Sequence, residues 1–271
     1  MKQDCEDDLI SVVIPCYNAS KCILESIDSA LNQTYKNIEI IVVDDCSLDD
    51  SYNIVKEYFL TRSNVKLYKT IVNSGMPAVP RNLGVQLSSG EYIAFLDADD
   101  IWHPQKLEIQ CNILKSNNFL IASSTAIDFT GEFNNNLKLF NLSDNFKFRV
   151  VTLWDQMAKY RTPTSSLLLR NDIAKSYPFP DSYFLRGRED LVQSLYMHSC
   201  YDSVKVDAPL VFYRVHSGQI SANKIKMVLK VLWIVLTIRL KRKNFYKIFF
   251  PYFMATNILQ SIYYRVFKGR L

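Results

Sequence analysis

The sequence predicts an α/β protein built on a doubly wound, mostly parallel sheet with helices on both faces. Short β-branched runs alternate with segments of helical periodicity across residues 9–103, which is the pattern of strands joined by crossover helices. Polar residues follow each of these runs rather than precede it. The chain has 271 residues and is 48% hydrophobic, which is enough for one such domain with an appendage.

Four apolar runs predict the strands of the first half, namely Leu9–Ile14, Ile38–Val43, Val65–Tyr68 and Tyr92–Leu96. Helical spacing of apolar residues predicts the helices between them, namely Ser20–Asn32 with Ser20 as N-cap, Asp49–Leu60 and Pro77–Leu87. Later helices are predicted at Pro104–Asn117 and Glu189–Cys200. Extended segments are predicted at Phe119–Phe129, Thr164–Leu169, Val204–Val206 and Leu210–Val215, with a loop at 130–150.

A polar cluster follows every predicted strand of the first half. The clusters are Pro15–Asn18, Asp44–Ser47, Asn73–Gly75 and Asp97–Asp100. Because the carboxyl ends of parallel strands meet at one edge of a sheet, we expect a nucleotide-sized cleft there. The chain has only 7 glycines, so a Gly-rich phosphate loop is nearly excluded.

Three carboxylates crowd the end of the fourth predicted strand, at Asp97, Asp99 and Asp100. Clustered anions repel one another unless a cation joins them. Mg²⁺ or Mn²⁺ is the expected ion, since both prefer oxygen ligands and keep positions open for substrate phosphates. A solvated acidic turn or a helix N-cap is the alternative explanation.

The cysteine pattern and the N-terminus indicate a protein of the reducing cytoplasm. The 6 cysteines are scattered and form no C-x-x-C pair, which argues against a zinc site and against a disulfide framework. Residues 1–8 are polar and acidic, and we expect no signal peptide there.

The basic charge of the chain is concentrated in residues 224–271. This segment contains eleven Lys or Arg and no acid, whereas the other residues carry a net charge of −6. Within it, Val228–Ile238 is apolar but shorter than the ~20 residues that a membrane span needs. Arg239–Lys243 and the aromatic-rich residues 245–253 follow, a combination typical of a membrane interface. We predict a helical extension lying on the membrane; a helical pair packed on the catalytic domain is the alternative. No motif indicates nucleic-acid binding.

Several segments, in the right order, resemble the family 2 glycosyltransferases, which have the GT-A fold. They are Ile10–Asn18, Ile41–Ser47, Pro80–Gly84, Gly90–Asp100, Arg188–Leu191, and Tyr213–His216 followed by Ser221. The resemblance covers residues 9 to about 221. It implies a GT-A catalytic domain at 1–223, with a nucleotide-binding half at about 9–103 and an acceptor half at about 104–223.

The resemblance also implies a binding site for a nucleoside-diphosphate sugar. Pro15 and Tyr17 would border the uracil and ribose, and Asp45 would accept from uracil N3–H. Asp97 would face the ribose or the sugar. Arg81 is expected in the same cleft, either on a phosphate or paired with an acid. Capping of the second helix is the alternative role for Asp45.

For the reaction itself, the resemblance implies that Asp99 holds the metal on the diphosphate and that His216 lies near the metal or the diphosphate. Asp190 would act as the general base in an inverting, single displacement. Each residue has a structural alternative. Asp100 is either a ligand or a helix cap, Asp190 lies where acids favour a helix dipole, and a lone His is often a surface residue.

By this resemblance the protein transfers a hexose or N-acetylhexosamine from a UDP-sugar, with UDP-glucose or UDP-galactose favoured. The acceptor would be a polyprenyl-diphosphate-linked sugar, used for O-antigen or other surface polysaccharide. The enzyme would lie peripherally on the cytoplasmic face of a bacterial inner membrane. A sugar nucleotidyltransferase and a non-catalytic membrane scaffold of the same fold are the competing hypotheses.

Overall fold

The structure, a computed structural model, describes residues 8–60, 64–133, 147–158, 162–216 and residue 234. Ser221 and the predicted extension at 224–271, apart from residue 234, lie outside the described residues. In the part of the chain that is described, no helix has the length and apolar character needed to cross a bilayer.

One open sheet of nine strands forms the centre of the described fold. The strands are β1 Ile10–Cys16, β2 Ile38–Asp44, β3 Val65–Lys69, β4 Tyr92–Phe95, β5 Ile101–Trp102, β6 Ile121–Phe129, β7 Phe148–Val151, β8 Leu168–Arg170 and β9 Ser203–Arg214. Their order is β3-β2-β1-β4-β8-β6-β9-β5, and β7 pairs with β9. Strands β3, β2, β1 and β4 are parallel, as are β6 and β9, so the sheet is mostly parallel, as predicted.

Helices pack on both faces of this sheet. They are α1 Ile23–Leu31, α2 Ser51–Phe59, α3 Ala78–Leu87, α4 Lys106–Asn117, α5 Leu153–Ala158, α6 Asn171–Ser176 and α7 Glu189–His198. Alternation along β1 explains the two layers: Ile14 packs with α1 and α4 on one face, whereas Val13 packs with α3 and α7 on the other. Gly84 lets α3 approach closely, because a Cβ there would lie 2.4 Å from Val13 Cγ1.

A buried carboxylate joins three neighbouring segments at the amino-terminal ends of the parallel strands. Glu39, at the start of β2, accepts hydrogen bonds from the Ser11 hydroxyl at 2.6 Å and from the Ser89 backbone at 2.8 Å. Lys66 completes this group with an ion pair of 2.7 Å. Burial alone would raise the pKa of Glu39, but the bonds from Lys66, Ser11 and Ser89 lower it to about 2.

The second half of the chain departs most from the prediction. The expected strand at Thr164–Leu169 is a 3₁₀ turn, Thr164–Ser166, followed by β8. Strand β8 runs antiparallel to β4 with Leu168 opposite Ala94, so this turn lies where β4 ends. The predicted extended segments Val204–Val206 and Leu210–Val215 correspond to one continuous strand, β9. In the first half, Ser20 does not cap α1, which begins only at Ile23.

Candidate donor and metal site

The acidic loop Asp97–Asp100 follows β4, and neighbouring elements hold it on several sides. The Ser26 hydroxyl of α1 donates to the Ala98 carbonyl at 2.9 Å. Asp97 and Asp99 remain half-buried while Asp100 is completely buried. Residues 97 and 99 therefore present their carboxylates toward the cleft edge, and residue 100 faces inward.

Asp99 lies beside His216. The two side chains meet at 3.0 Å between Oδ2 and Nε2, and they are 29% and 46% exposed. Burial raises the pKa of Asp99, and the negative charge of Asp97 adds to that effect; His216 acts in the opposite direction. This pair of oxygen and nitrogen donors is open to solvent and has a neighbouring carboxylate that favours a cation.

The donor set fits a metal that a substrate completes. Among the described residues, no group of three or more His, Cys, Asp or Glu side chains is arranged to hold a metal ion. Mg²⁺ in phosphate-transferring sites usually takes only one or two protein ligands, with water and substrate phosphates in the other positions. Asp99 and His216 supply such a partial set.

Asp100 is neither a helix cap nor an exposed ligand. Its Oδ2 accepts from the Ser165 hydroxyl at 2.5 Å, and its Oδ1 accepts from the Arg214 backbone at 3.1 Å. Burial raises the pKa of Asp100 well above its usual range, and the charges of Asp97 and Asp99 raise it further. This carboxylate therefore stabilises the acidic loop from inside.

Arg214 connects the late Tyr-Arg-x-His segment to the acidic loop. Its Nε donates to the Asp99 carbonyl at 2.9 Å and its Nη1 to the Gly131 carbonyl at 2.5 Å. An ion pair with Glu25 anchors the guanidinium to α1. Sequence reasoning gave this residue no role, although its position two residues before His216 was the available signal.

Arg81 bridges two acids of the cleft. Its Nη2 donates to Asp97 Oδ1 at 2.5 Å, its Nη1 lies 3.5 Å from Glu189 Oε1, and its side chain is only 5% exposed. Burial alone would lower the pKa of Arg81, but the charges of Asp97 and Glu189 raise it above its ordinary value. Of the two expected placements, the described structure has the acid-paired one.

Asp190 lies in the first turn of α7, and Glu189 precedes it as the first helical residue. The Asp190 side chain is half-buried, and its Oδ1 accepts from the Leu191 backbone N–H at 2.7 Å. Burial raises the pKa of Asp190, while Arg188 and Arg81 lower it and Asp97 raises it. Arg81, which contacts both Asp97 and Glu189, connects the acidic loop with the helix that carries Asp190.

The loops after β1, β2 and β3 contain the residues predicted to bind the nucleotide. Tyr17 is 46% exposed, whereas Pro15 is buried within β1. Asp45 is buried, and its carboxylate accepts from Thr70 Oγ1 at 2.9 Å and Ser74 Oγ at 2.7 Å. The Ser74 backbone donates to the same carboxylate at 3.1 Å. The same N–H also lies 3.1 Å from Oδ1, so each carboxylate oxygen already accepts two hydrogen bonds, which fills the roughly four acceptor positions of a carboxylate.

Two residues in these loops adopt a left-handed backbone that sequence reasoning did not predict. Asn18 has φ of 51° and Cys46 has φ of 56°. Asn18 Oδ1 accepts from the Leu48 backbone at 2.8 Å, and the Asn18 backbone donates to Ser47 Oγ at 3.0 Å. Non-glycine residues in this conformation concentrate at functional sites, where surrounding contacts hold them.

Known proteins resemble this chain over most of its length. An uncharacterised glycosyltransferase of Haemophilus influenzae is 30% identical over 263 residues, which cover 94% of this chain and 93% of that protein. The Escherichia coli protein WfaP, named UDP-Glc:alpha-D-GlcNAc-diphosphoundecaprenol beta-1,3-glucosyltransferase, is 32% identical over 228 residues, covering 82% and 84%. An uncharacterised glycosyltransferase of Rickettsia bellii is 39% identical over 146 residues, but the match spans only 21% of its length and 53% of this chain.

Solved structures share the fold at lower identity. The Staphylococcus aureus TarS fragment 1–349 in complex with UDP-GlcNAc has a TM-score of 0.67 at 20% identity, covering 96% of this chain and 74% of that one. The mannosyltransferase PcManGT of Pyrobaculum calidifontis, in complex with GDP-Man and Mn²⁺, has a TM-score of 0.62 at 16% identity, covering 95% and 75%. These likenesses show the GT-A fold.

The sequence model of the family described as "Glycosyl transferase family 2" matches residues 11–176, more than half of the chain. This range holds the acidic loop, Arg81 and the loops after the first three strands. The chain belongs to glycosyl transferase family 2.

Proposed function

We propose that the protein is an inverting, metal-dependent hexosyltransferase. It transfers a hexose or N-acetylhexosamine from a UDP-sugar, with UDP-glucose or UDP-galactose favoured, to a hydroxyl of a polyprenyl-diphosphate-linked sugar. The bond formed is β-glycosidic, and the product serves surface polysaccharide such as O-antigen. The observation that carries this proposal is the Arg81 side chain, which lies 2.5 Å from Asp97 in the acidic loop and 3.5 Å from Glu189, the residue next to Asp190.

The donor nucleotide occupies the loops at the carboxyl edge of β1, β2 and β3. Exposed Tyr17 covers one side of the uracil and ribose next to Pro15, and Asp45 accepts from uracil N3–H in exchange for one of its present bonds to Thr70 or Ser74. Asp97, held by Arg81, faces the ribose or the sugar. Arg81 acts through this ion pair rather than by reaching a phosphate.

Asp99 and His216 hold the metal. When bound, Mn²⁺ or Mg²⁺ supplies positive charge at the diphosphate, where negative charge develops as the glycosidic bond breaks. The half-exposed placement of both side chains supports this role, since substrate oxygens must reach the same ion.

Asp190 removes the proton of the acceptor hydroxyl. A general base works best when its pKa is near the operating pH, and burial moves the pKa of Asp190 upward from its ordinary value. The acceptor oxygen attacks the anomeric carbon opposite the departing UDP, so the configuration is inverted. The acceptor proton passes to the Asp190 carboxylate, and the bonding pair leaves with UDP.

The names of relatives support the choice of substrates. WfaP is named for UDP-glucose as donor and for a sugar on diphosphoundecaprenol as acceptor, and it matches 82% of this chain. A lipid-linked acceptor requires the enzyme to work at a membrane. The eleven basic residues of the segment 224–271 support attachment to the anionic cytoplasmic face of the inner membrane.

The proposal is tested with the full-length protein, radiolabelled UDP-sugars and GlcNAc-diphosphoundecaprenol in detergent. We expect label to enter the lipid with release of free UDP in Mn²⁺ or Mg²⁺, and not in EDTA. Analysis of the product by NMR gives the anomeric configuration. Release of pyrophosphate would indicate a nucleotidyltransferase, and absence of turnover with every UDP-sugar, despite binding to vesicles, would indicate a scaffold.

A further inference from the structure

Ser165 lies at the junction of the acceptor half and the acidic loop. It is the central residue of the 3₁₀ turn Thr164–Ser166, immediately before β8. Because β8 runs antiparallel to β4, the start of β8 is adjacent to the end of β4, where the acidic loop begins. A residue of the acceptor half is thereby brought against the proposed metal site.

Ser165 contacts residues of the acidic loop that come before and after Asp99 in the sequence. Its hydroxyl donates to Asp100 Oδ2 at 2.5 Å and accepts from the Asp97 backbone N–H at 3.1 Å. Its carbonyl accepts from Trp102 Nε1 at 2.8 Å, and the residue is 1% exposed. One buried residue thus satisfies polar groups before and after the proposed metal ligand.

The backbone of Asp99 has its own hydrogen bond, in which its carbonyl accepts from Arg214 Nε at 2.9 Å. Ser165 and Arg214 both bind Asp100, through its two separate oxygens. Loss of the Ser165 hydroxyl would leave the Asp97 N–H and Asp100 Oδ2 without this partner. The bonds from Ser26 to the Ala98 carbonyl and from Arg214 to Asp99 and Asp100 would remain.

We propose that Ser165 is a positioning residue for the metal–diphosphate site, through the hydrogen bonds that its hydroxyl makes to Asp97 and Asp100. The inference rests on the proposed function, because it assumes that Asp99 holds the ion. Replacing a residue that orients a metal ligand without touching the ion commonly lowers metal affinity by 10–100-fold. Ser165 would orient Asp99 through the two residues of the loop that it contacts, Asp97 and Asp100.

The neighbouring residue provides a matched control. Ser166 is completely buried like Ser165, but its hydroxyl donates to the Pro163 carbonyl at 2.7 Å within its own turn. Ser166→Ala therefore removes a hydroxyl of equal burial from the same turn without removing a hydrogen bond to the acidic loop. Ser165→Thr keeps the hydroxyl and serves as the rescue variant.

The experiment measures binding of UDP to the full-length protein by calorimetry, with Mn²⁺ and with EDTA, and binding of Mn²⁺ to the UDP complex by electron paramagnetic resonance. For Ser165→Ala we expect Mn²⁺ affinity to fall by roughly 10–100-fold, with UDP binding in EDTA unchanged. Ser166→Ala should bind Mn²⁺ as the wild type does, and Ser165→Thr should recover most of the affinity. Where Ser165→Ala does not fold, Ser165→Cys keeps the volume with a weaker donor and should weaken Mn²⁺ binding in the same direction.

The outcomes separate this inference from the proposed function. Wild-type Mn²⁺ affinity in Ser165→Ala, or an equal loss in Ser165→Ala and Ser166→Ala, overturns the positioning role while the proposed function stands. A wild-type protein whose UDP complex binds no Mn²⁺ overturns the proposed metal site, and the inference with it.

Discussion

Arg81 donates from Nη2 to Oδ1 of Asp97 across 2.5 Å, deep in the cleft. The same guanidinium lies 3.5 Å from Glu189, the residue before the proposed base. This buried cation therefore connects the acidic loop with the helix that carries Asp190. Its charge also lowers the pKa of Asp190, against the effect of burial.

Replacement of Arg81 should change the pH dependence of the reaction. In Arg81→Gln the pKa of Asp190 should rise further, because a positive charge that lowers it is removed. The rate falls as pH falls through that pKa, so the acid limb of kcat/KM should move to higher pH. Arg170→Gln, which changes an exposed arginine paired with nearby Asp172, is the control. An unshifted acid limb in folded Arg81→Gln would contradict the electrostatic connection.

Asp190→Asn should remove turnover but keep donor binding. The amide cannot accept the proton of the acceptor hydroxyl, and loss of a general base commonly costs about 10²–10⁴-fold in rate. Calorimetry with UDP-sugar should give the wild-type dissociation constant. Asp181→Asn alters an exposed acid of the preceding loop and should leave kcat unchanged. Normal rates in Asp190→Asn would eliminate this residue as the base.

Asp99→Ala should abolish metal-dependent transfer, because the proposed oxygen ligand is lost. Mn²⁺ titrations of activity should show no saturation, and added EDTA should then have no further effect. Asp128→Ala removes an exposed carboxylate of β6 and should behave as wild type. The hypothesis that Asp99 holds the metal fails if Asp99→Ala retains the wild-type Mn²⁺ dependence.

Lys106→Met should stabilise the protein. Lys106 is completely buried, its Nζ has no hydrogen-bond partner among the described residues, and it lies 4.1 Å from the centroid of the Trp102 ring. Burial places the pKa of Lys106 well below its usual value, so the unfolded state binds more protons than the folded state between the two pKa values. Wild-type stability from this group therefore decreases as pH falls below the unfolded pKa of about 10.4.

Urea unfolding at pH 7 should show a gain on the order of 1–3 kcal/mol for Lys106→Met, because an apolar side chain replaces a buried ionisable one. The gain should shrink as pH rises toward the pKa of unfolded lysine. Lys56→Met, at an exposed position of α2, should change stability little. A loss of stability in Lys106→Met would show that the amine has a stabilising contact.

Glu39→Gln should destabilise the amino-terminal edge of the sheet. The folded pKa of Glu39 is about 2, compared with an ordinary value of 4.5, so its contribution is present above about 4.5 and is lost as pH falls toward 2. At pH 7 we expect a loss of about 1–3 kcal/mol, typical of a buried hydrogen-bonded charge. The two proteins should converge in urea unfolding near pH 2. Glu91→Gln, an exposed residue just before β4, is the control.

The first half of the fold was predictable because its signals are local. The four predicted strands agree with β1 to β4 within two residues at each end, and the three helices between them are present. Apolar periodicity and Pro or Gly punctuation act over a few residues, so a linear pattern is sufficient there. The second half was less predictable, since α5, α6 and β7 are short and β9 contains Pro209 without a break.

The sequence by itself determined the family-like order of segments, the polar clusters after the strands, and the acidic loop with its proposed ligand Asp99. Tertiary structure alone decided which groups hold that loop. Ser165 is 65 residues from Asp100, and Arg214 is 115 residues from Asp99. Strand pairing brings such partners together: β8 pairs antiparallel with β4, and β9 pairs antiparallel with β5. Which strands become neighbours depends on contacts between segments far apart in the sequence, and the local pattern of each strand does not give it.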